Sequence, residues 1–152
     1  MAVPLAPGPK PVIATLALNT FIVATVVLVH YQCLTLLSKL IPRISVWHQF
    51  RIVLGVFGAL LAHSIEIWIF AIAYYYMHHA SGFGELQGLL SGSLLDCVYY
   101  SFTTFTTLGF GDIVPQGNIR YLTGIESLTG LVLITWSASF LFFEMQRYWN
   151  AR

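Results

Sequence analysis

The sequence predicts an all-α membrane protein with three transmembrane helices and one shorter helix that enters the membrane without crossing it. Of its 152 residues, 57% are hydrophobic and only 9% are charged, whereas a soluble domain carries roughly a quarter of its residues as charges. The few charged residues are unevenly spaced, which leaves long uncharged runs. A net charge of +1 provides no basic surface, so we expect membrane lipid as a partner and no nucleic acid.

Three runs are long enough to cross a bilayer. Residues 12–38 contain no charged residue, residues 52–77 contain only Glu66, and residues 121–143 contain only Glu126. The bilayer core takes about 20 residues of helix, so each run suffices with some tilt. The first run is too long for a signal peptide and lacks a small-residue cleavage site, so we expect it to be a retained helix.

The basic residues predict the orientation of these helices. One side carries only Lys10 and Arg120, and the other side carries the remaining basic residues, namely Lys39, Arg43, Arg51, Arg147 and Arg152. Basic residues concentrate in cytoplasmic loops. We therefore expect the N-terminus and residues 78–120 outside, and the C-terminus in the cytoplasm.

The segment between the second and third spans divides into three parts. An outer loop rich in Gly and Ser, residues 78–93, is followed by an apolar and aromatic stretch with interleaved Thr, residues 94–107. This stretch is too short to cross a bilayer but suits a re-entrant helix. Asp96 lies in its first turn, where a carboxylate complements the helix dipole.

The backbone of the third part, "TLGFG", can form a ladder of carbonyl oxygens. Irregular backbone at membrane depth is tolerated only where it is buried in protein or lines a water-filled path. Gly109 and Gly111 adopt positive φ at little cost, so alternate residues can take opposite-handed conformations. Successive carbonyls then turn to one side, with the Thr107 hydroxyl at the inner end. Four such strands replace the hydration shell of a cation, which requires an assembly of subunits.

The stretch "TTFTTLGFGDIVP", residues 103–115, resembles the signature of potassium channels, which most often reads Thr-Val-Gly-Tyr-Gly-Asp. Residues 52–147 resemble the pore module of that family, and the additional first helix is similar to that of some small prokaryotic members. The resemblance implies a homotetramer in a plasma (inner) membrane that conducts K+ and needs no cofactor. It divides the chain into residues 1–51, with the additional helix and a cytoplasmic loop, and a pore module, residues 52–152. The module comprises an outer helix 52–77, outer loop 78–93, pore helix 94–107, filter 107–112 and inner helix 121–147.

The resemblance also implies roles for single residues. The selectivity filter would be Thr107, Leu108, Gly109, Phe110 and Gly111, with K+ held at the first four of them. The filter would be supported by Asp112 from behind, by Tyr99 and Tyr100 as an aromatic cuff, and by Thr103 and Thr106. Gly130 falls at the inner-helix hinge of the family. Phe110 replaces the commoner Tyr and loses its hydroxyl, and Leu108 replaces Val.

Four ionisable residues lie at membrane depth, where exposing a charge to lipid has a high free-energy cost. His63 and Glu66 share a helix face, and His30 lies at a similar depth in the first span. We expect these three residues to form a polar cluster that holds the first two helices together by hydrogen bonds. Alternatively, the cluster acts as a proton sensor. For Glu126 we expect a hydrogen bond to the pore helix through Thr103 or Thr104, the alternative being direct ion coordination.

Ile134, Ala138 and Phe142 fall on one stripe of the last helix. They are candidates for the wall of a central cavity, with Phe142 as a hydrophobic gate that closes by dewetting. An apolar face buried against neighbouring helices explains the same stripe.

A potassium-selective channel is thus the leading hypothesis for the function. The alternatives are a poorly selective cation channel and a non-conducting accessory or assembly subunit. We do not expect an enzyme, because the histidines show no metal-ligand spacing such as His-Glu-x-x-His and no nucleophile is flanked by a base.

Overall fold

Four α-helices and a two-stranded sheet make up the part of the chain that the computed structural model describes, residues 9–43 and 48–149. In chain order they are α1 (Pro9–Leu40), α2 (His48–His79), β1 (Glu85–Gly88), α3 (Leu94–Phe105), β2 (Ile113–Gln116) and α4 (Ile119–Trp149), with a 3-10 turn (Ile41–Arg43) after α1. Arg152, one of the basic residues used for the predicted orientation, lies outside the described residues.

Three of the helices are long and apolar enough to cross a membrane, over Val12–Arg43, Phe50–His79 and Ile119–Arg147. The prediction of three spans is therefore confirmed. Each helix extends a few residues beyond the uncharged run that predicted it, because charged residues at a membrane surface remain compatible with helical backbone.

Helix α1 packs against α2 and α4 of its own chain. Its buried residues recur every three or four positions, as expected for one face of a helix; they are Thr15, Asn19, Ile22, Val26, His30 and Leu34. The opposite face carries large exposed apolar side chains such as Phe21. Helix α1 thus packs against the other two long helices of the same chain.

Helix α3 is short and lies against both α2 and α4. The apolar core forms around it, with Phe70 and Tyr74 of α2, Phe105 of α3 and Leu122 of α4 all buried. This packing holds both ends of α3, and therefore also the segment that follows it.

The two short strands correct the expectation of an all-α fold. Glu85 pairs with Gln116 and Gly88 pairs with Ile113 in an antiparallel register. A Cβ atom at Gly84 would overlap the Gln116 carbonyl oxygen, so the backbones approach closely there. The outer loop predicted at residues 78–93 is therefore partly a strand. This strand, β1, pairs with β2, which follows the TLGFGD segment. The pairing connects the part of the chain before α3 to the part after it.

Candidate functional site

The N-terminus of α3 is fixed by a capping box. The Asp96 backbone N–H donates to the Ser93 hydroxyl, and the Asp96 carboxylate accepts from the Ser93 backbone N–H. The same carboxylate accepts from the hydroxyl and the backbone N–H of Ser91, each at 2.7 Å. These hydrogen bonds, led by the Ser91 hydroxyl, lower the pKa of Asp96 from 3.8 to about 2. The carboxylate thereby satisfies backbone donors that a helix start leaves unpaired.

The C-terminus of α3 continues directly into the glycine-containing segment. The Thr107 N–H donates to the Thr104 carbonyl at 2.9 Å, and the Gly109 N–H donates to the Thr103 carbonyl at 3.1 Å. These bonds fold the first residues of the segment back onto the last turn of the helix. The start of the segment therefore has a fixed position relative to α3.

Every second residue of the segment has positive φ. The values are 60° at Thr107, 52° at Gly109 and 82° at Gly111. Among the described residues Thr107 is the single non-glycine with positive φ, a conformation that costs a side-chain-bearing residue energy and concentrates at functional sites. A Cβ atom at Gly109 or Gly111 would meet nothing within 4 Å, so the backbone conformation, and not a lack of space, favours glycine there.

The segment lies open along one side of the single chain. The side chains of Leu108 and Phe110 are 64% and 66% exposed, and all residues from Thr106 to Gly111 are exposed. A loop of a globular protein rarely exposes apolar side chains of this size in sequence. The segment is thus suited to a surface that further subunits complete.

Asp112 anchors the outer end of the segment at two atoms. Its carboxylate accepts a hydrogen bond from the Tyr99 hydroxyl at 2.7 Å, and its carbonyl accepts from the Leu89 N–H at 3.0 Å. The bond to Asp112 raises the pKa of Tyr99, so the phenol stays protonated as the donor. The first bond comes from α3 and the second from the residue after β1.

Tyr100, predicted as the second half of the cuff, has different partners. Its hydroxyl lies 3.0 Å from Thr123 Oγ1 on α4, and its ring meets that of Tyr74 edge to face at 4.9 Å. Neighbouring residues of a helix point in different directions, so only Tyr99 contacts Asp112. Tyr100 instead fills the space between α2 and α4.

Thr103 and Thr106 form hydrogen bonds within α3. The Thr103 hydroxyl donates to the Tyr100 carbonyl at 2.9 Å, and the Thr106 hydroxyl donates to the Phe102 carbonyl at 2.7 Å. Thr103 also borders a cavity of about 340 Å³ behind the segment, together with Asp112 and Ser127. Thr106 is exposed at the inner end.

Glu126 contacts α3 through a residue other than those predicted. Its carboxylate accepts from the Ser101 hydroxyl on α3 and from the Tyr74 hydroxyl on α2, each at 2.5 Å. The predicted partners Thr103 and Thr104 do not bond to it. Glu126 is fully buried, which argues against direct coordination of an ion in the open segment. No sequence pattern identified Tyr74 or Ser101 as its partners.

Gly130, predicted as a hinge, packs against the end of α3. A Cβ atom there would overlap the Phe105 carbonyl oxygen, so this contact by itself requires glycine. Helix α4 is continuous through this position, from Ile119 to Trp149.

The stripe of Ile134, Ala138 and Phe142 is exposed on the single chain. Ile134 borders a groove of about 500 Å³ that also contacts His63, Phe105 and Thr106. The stripe is thus not buried by helices of its own chain.

The four ionisable residues at membrane depth form two separate groups. Glu66 contacts both histidines: its Oε1 lies 2.8 Å from His30 Nδ1 and its Oε2 lies 2.9 Å from His63 Nδ1. The two imidazole rings stack at 5.4 Å. Glu126 belongs to the other group, with Ser101 and Tyr74. We call His30, His63 and Glu66 the imidazole–carboxylate triad.

The family model described as "Ion channel" matches residues 62–147, more than half of the chain. The match includes most of α2, all of α3, the TLGFGD segment and nearly all of α4. No curated protein and no solved structure matches the chain.

Proposed function

Because the chain belongs to the ion channel family, we propose that it is a potassium-selective channel that conducts K+ passively through a homotetrameric pore. In this proposal K+ ions bind to backbone oxygens of Thr107, Leu108, Gly109 and Phe110, with Gly111 closing the outer end. The observation that carries it is the positive φ at every second residue of the segment. Alternating handedness is what brings successive carbonyls to one side of an extended backbone.

The chemistry of such a ladder supports a monovalent cation, and the resemblance of its sequence to the potassium-channel signature favours K+. Carbonyl oxygens are neutral dipoles that replace the hydration shell of a monovalent cation. The filter is held from both ends, by the Gly109–Thr103 bond inside and the Asp112 bonds outside. Helix α3 ends only two residues before Thr107, and the partial negative charge at a helix C-terminus favours a cation nearby.

The tetramer follows from what one chain lacks. A single chain supplies one carbonyl strand, and this strand is exposed together with Ile134 and Phe142 of α4. Rotational symmetry about an axis beside the filter would cover these surfaces with copies of themselves. Four strands would complete the coordination of the ion, and the stripe on α4 would line the cavity beneath.

The orientation is also part of the proposal. Lys39, Arg43 and Arg147 lie at the end of the spans opposite to β1, α3 and β2. With basic residues inside, the filter opens at the outer face of the plasma membrane and the C-terminus lies in the cytoplasm.

Gly109→Ala tests the proposal in reconstituted liposomes. A side chain at φ 52° is strained whatever space surrounds it, so the alternation should be lost and K+ flux should fall to the level of empty liposomes. Gly124→Ala is the matched control, since Gly124 lies in α4 with open space around it. K+ flux that survives Gly109→Ala, or that is absent from the wild-type protein, would contradict the proposal; the latter would favour an accessory subunit.

Selectivity is measured in the same liposomes with K+ and Na+ gradients. Phe110 lacks the hydroxyl that the commoner Tyr would contribute, which is the observation that favours a poorly selective channel. The Tyr99–Asp112 bond supports the filter independently of position 110, so we expect K+ flux to exceed Na+ flux. Equal fluxes would establish the poorly selective alternative. Native mass spectrometry of the purified protein checks the four-subunit assembly.

A further inference from the structure

The imidazole–carboxylate triad has no role in the filter and lies where all four helices approach one another. His30 comes from α1, and His63 and Glu66 come from α2. The His63 ring lies 5.7 Å from that of Phe105 on α3, and the His30 ring lies 5.2 Å from that of Trp136 on α4. His30 and Glu66 are fully buried, and the His63 side chain is 14% exposed.

We propose that the triad is a binding site for a divalent transition-metal ion such as Zn2+, held by the two imidazole nitrogens and the Glu66 carboxylate. The donor set of two histidines and one glutamate suits such an ion and leaves a position for water. The ligand atoms of the three residues all lie within 4.8 Å of one another.

The distances within the triad lie at or just below those expected between ligands of one ion, and the two histidines contact different oxygens of Glu66. Two ligands each about 2.0–2.1 Å from a common metal, at angles between square and tetrahedral, are separated by about 2.9–3.4 Å. The observed nitrogen–oxygen distances are 2.8 Å for His30 and 2.9 Å for His63. Small side-chain adjustments would therefore admit the ion between the nitrogens and the carboxylate.

Hydrogen bonds to the two histidines leave the buried Glu66 carboxylate without a permanently charged partner among the described residues. An ion held on Nδ1 would leave unchanged the other ring nitrogen, His30 Nε2, which is buried without a hydrogen-bond partner among the described residues. In the same part of the chain, Glu66 is paired with the two imidazoles and with no lysine or arginine. A fully buried carboxylate requires compensating positive charge, and a metal ion supplies it.

The ion has a route to the triad from the inner end of the filter. His63 borders the groove of about 500 Å³ beside Thr106 and Ile134, the residues that face the pore in the proposed function. A bound ion would tie α1 to α2 through His63, whose ring lies 5.7 Å from that of Phe105, two residues before the proposed filter. An effect on conduction rests on the proposed function, whereas binding itself does not.

Metal binding is tested on the full-length protein in detergent, purified without a histidine tag and stripped with a chelator. Zn2+ and Co2+ should each raise the thermal unfolding midpoint, and Co2+ should show the visible absorption of low-coordinate cobalt. Mg2+, which prefers an octahedron of oxygens, should do neither. Loss of an outer-shell partner alone weakens metal binding about 10- to 100-fold, so His63→Gln and His30→Gln should each weaken Zn2+ binding at least about 100-fold.

His79→Ala is the matched control, because His79 is an exposed histidine at the far end of α2. It should leave metal binding unchanged. The proposal is overturned if Zn2+ and Co2+ shift no midpoint, if the shift survives both glutamine variants, or if His79→Ala abolishes it. Because binding is measured without conduction, an inactive filter in the liposome assay leaves this result interpretable.

Discussion

Asp112 shows how single residues set the geometry of the proposed filter, residues 107–111. Its side chain is held by α3 through Tyr99, and its backbone carbonyl is held by Leu89 after β1. Each bond restrains a different atom, so rotation of the residue would break at least one of them. The outer end of the filter is thereby tied to two elements that lie before it in the chain.

Tyr99→Phe should loosen the attachment of Asp112, and with it the geometry of the proposed filter, without unfolding the subunit. It removes the hydroxyl that donates to the Asp112 carboxylate at 2.7 Å. Because Tyr99 is 40% exposed on the single chain, water reduces what the loss of this bond costs, and we expect the subunit to stay folded. K+ flux should fall and K+ over Na+ selectivity should narrow, both measured in liposomes.

Tyr100→Phe is the comparison for that experiment. It removes a hydroxyl of the neighbouring residue that bonds to Thr123 on α4, at a cost of about 1 kcal/mol. It should lower the thermal unfolding midpoint and leave selectivity unchanged. Equal losses of selectivity in the two variants would show that the cuff includes both tyrosines.

Helix α3 is the element on which the site depends, since it supports the filter at one end and is capped at the other. A helix of 12 residues is marginal by itself. Its stability therefore depends on the capping box and on burial against α2 and α4 more than on the helix propensity of its residues. Changes at the cap should be transmitted along the helix to the filter.

Asp96→Asn should destabilise the protein in a pH-dependent way. The pKa of Asp96 is lowered from 3.8 to about 2 in the folded chain, so the carboxylate contributes stability above pH 3.8 that is lost as the pH falls toward 2. Wild type should be more stable than Asp96→Asn above pH 3.8. The stabilities of the two proteins should become equal as the pH falls from 3.8 to about 2. Thermal unfolding midpoints measured across the window check this.

Glu85→Gln serves as the control for Asp96, because Glu85 is an exposed acid whose side chain bonds only to Gln87 among the described residues. Its midpoint should follow that of wild type at every pH. A constant difference between wild type and Asp96→Asn across the window would contradict a role for the ionised carboxylate.

Elements with a long periodic signal were predictable, and those that depend on tertiary contacts were not. The three spans followed from uncharged runs, and the alternating handedness followed from Gly109 and Gly111. Strands β1 and β2 have four residues each, and α3 separates them in the sequence. No local sequence pattern therefore predicts that they pair. The partners of Glu126 were also missed, because Ser101 and Tyr74 become its neighbours only once three helices have packed.

At the scale of the whole molecule, the short helix α3 lies between α2 and α4 and contacts both of them. The Ser101 hydroxyl lies 2.9 Å from the Ile67 carbonyl of α2 and also bonds to Glu126 of α4. One turn further along, the Phe105 carbonyl meets Gly130 of α4. The triad adds α1 to the same assembly through His30. The position of the filter relative to the spans thus depends on a few close contacts at membrane depth.

Gly130→Ala tests whether the contact with Phe105 controls that position. The added Cβ would overlap a backbone oxygen that no side-chain rotation can move away, and such overpacking costs about 1–3 kcal/mol. The end of α3 should shift and carry Thr107 with it. We expect a lower unfolding midpoint of the assembled protein in detergent and a reduced K+ flux in liposomes.

Gly124→Ala is the matched variant on the same helix, with nothing within 4 Å of the added atom. Alanine is favoured over glycine in a helix by up to about 1 kcal/mol, so this variant should match or exceed the wild-type midpoint and keep its flux. If Gly130→Ala kept the wild-type midpoint, close packing would not be the reason for that glycine, and an altered flux at that unchanged midpoint would favour the hinge that the sequence suggested. A pure hinge role predicts altered opening with an unchanged midpoint, whereas the packing role requires both to change together.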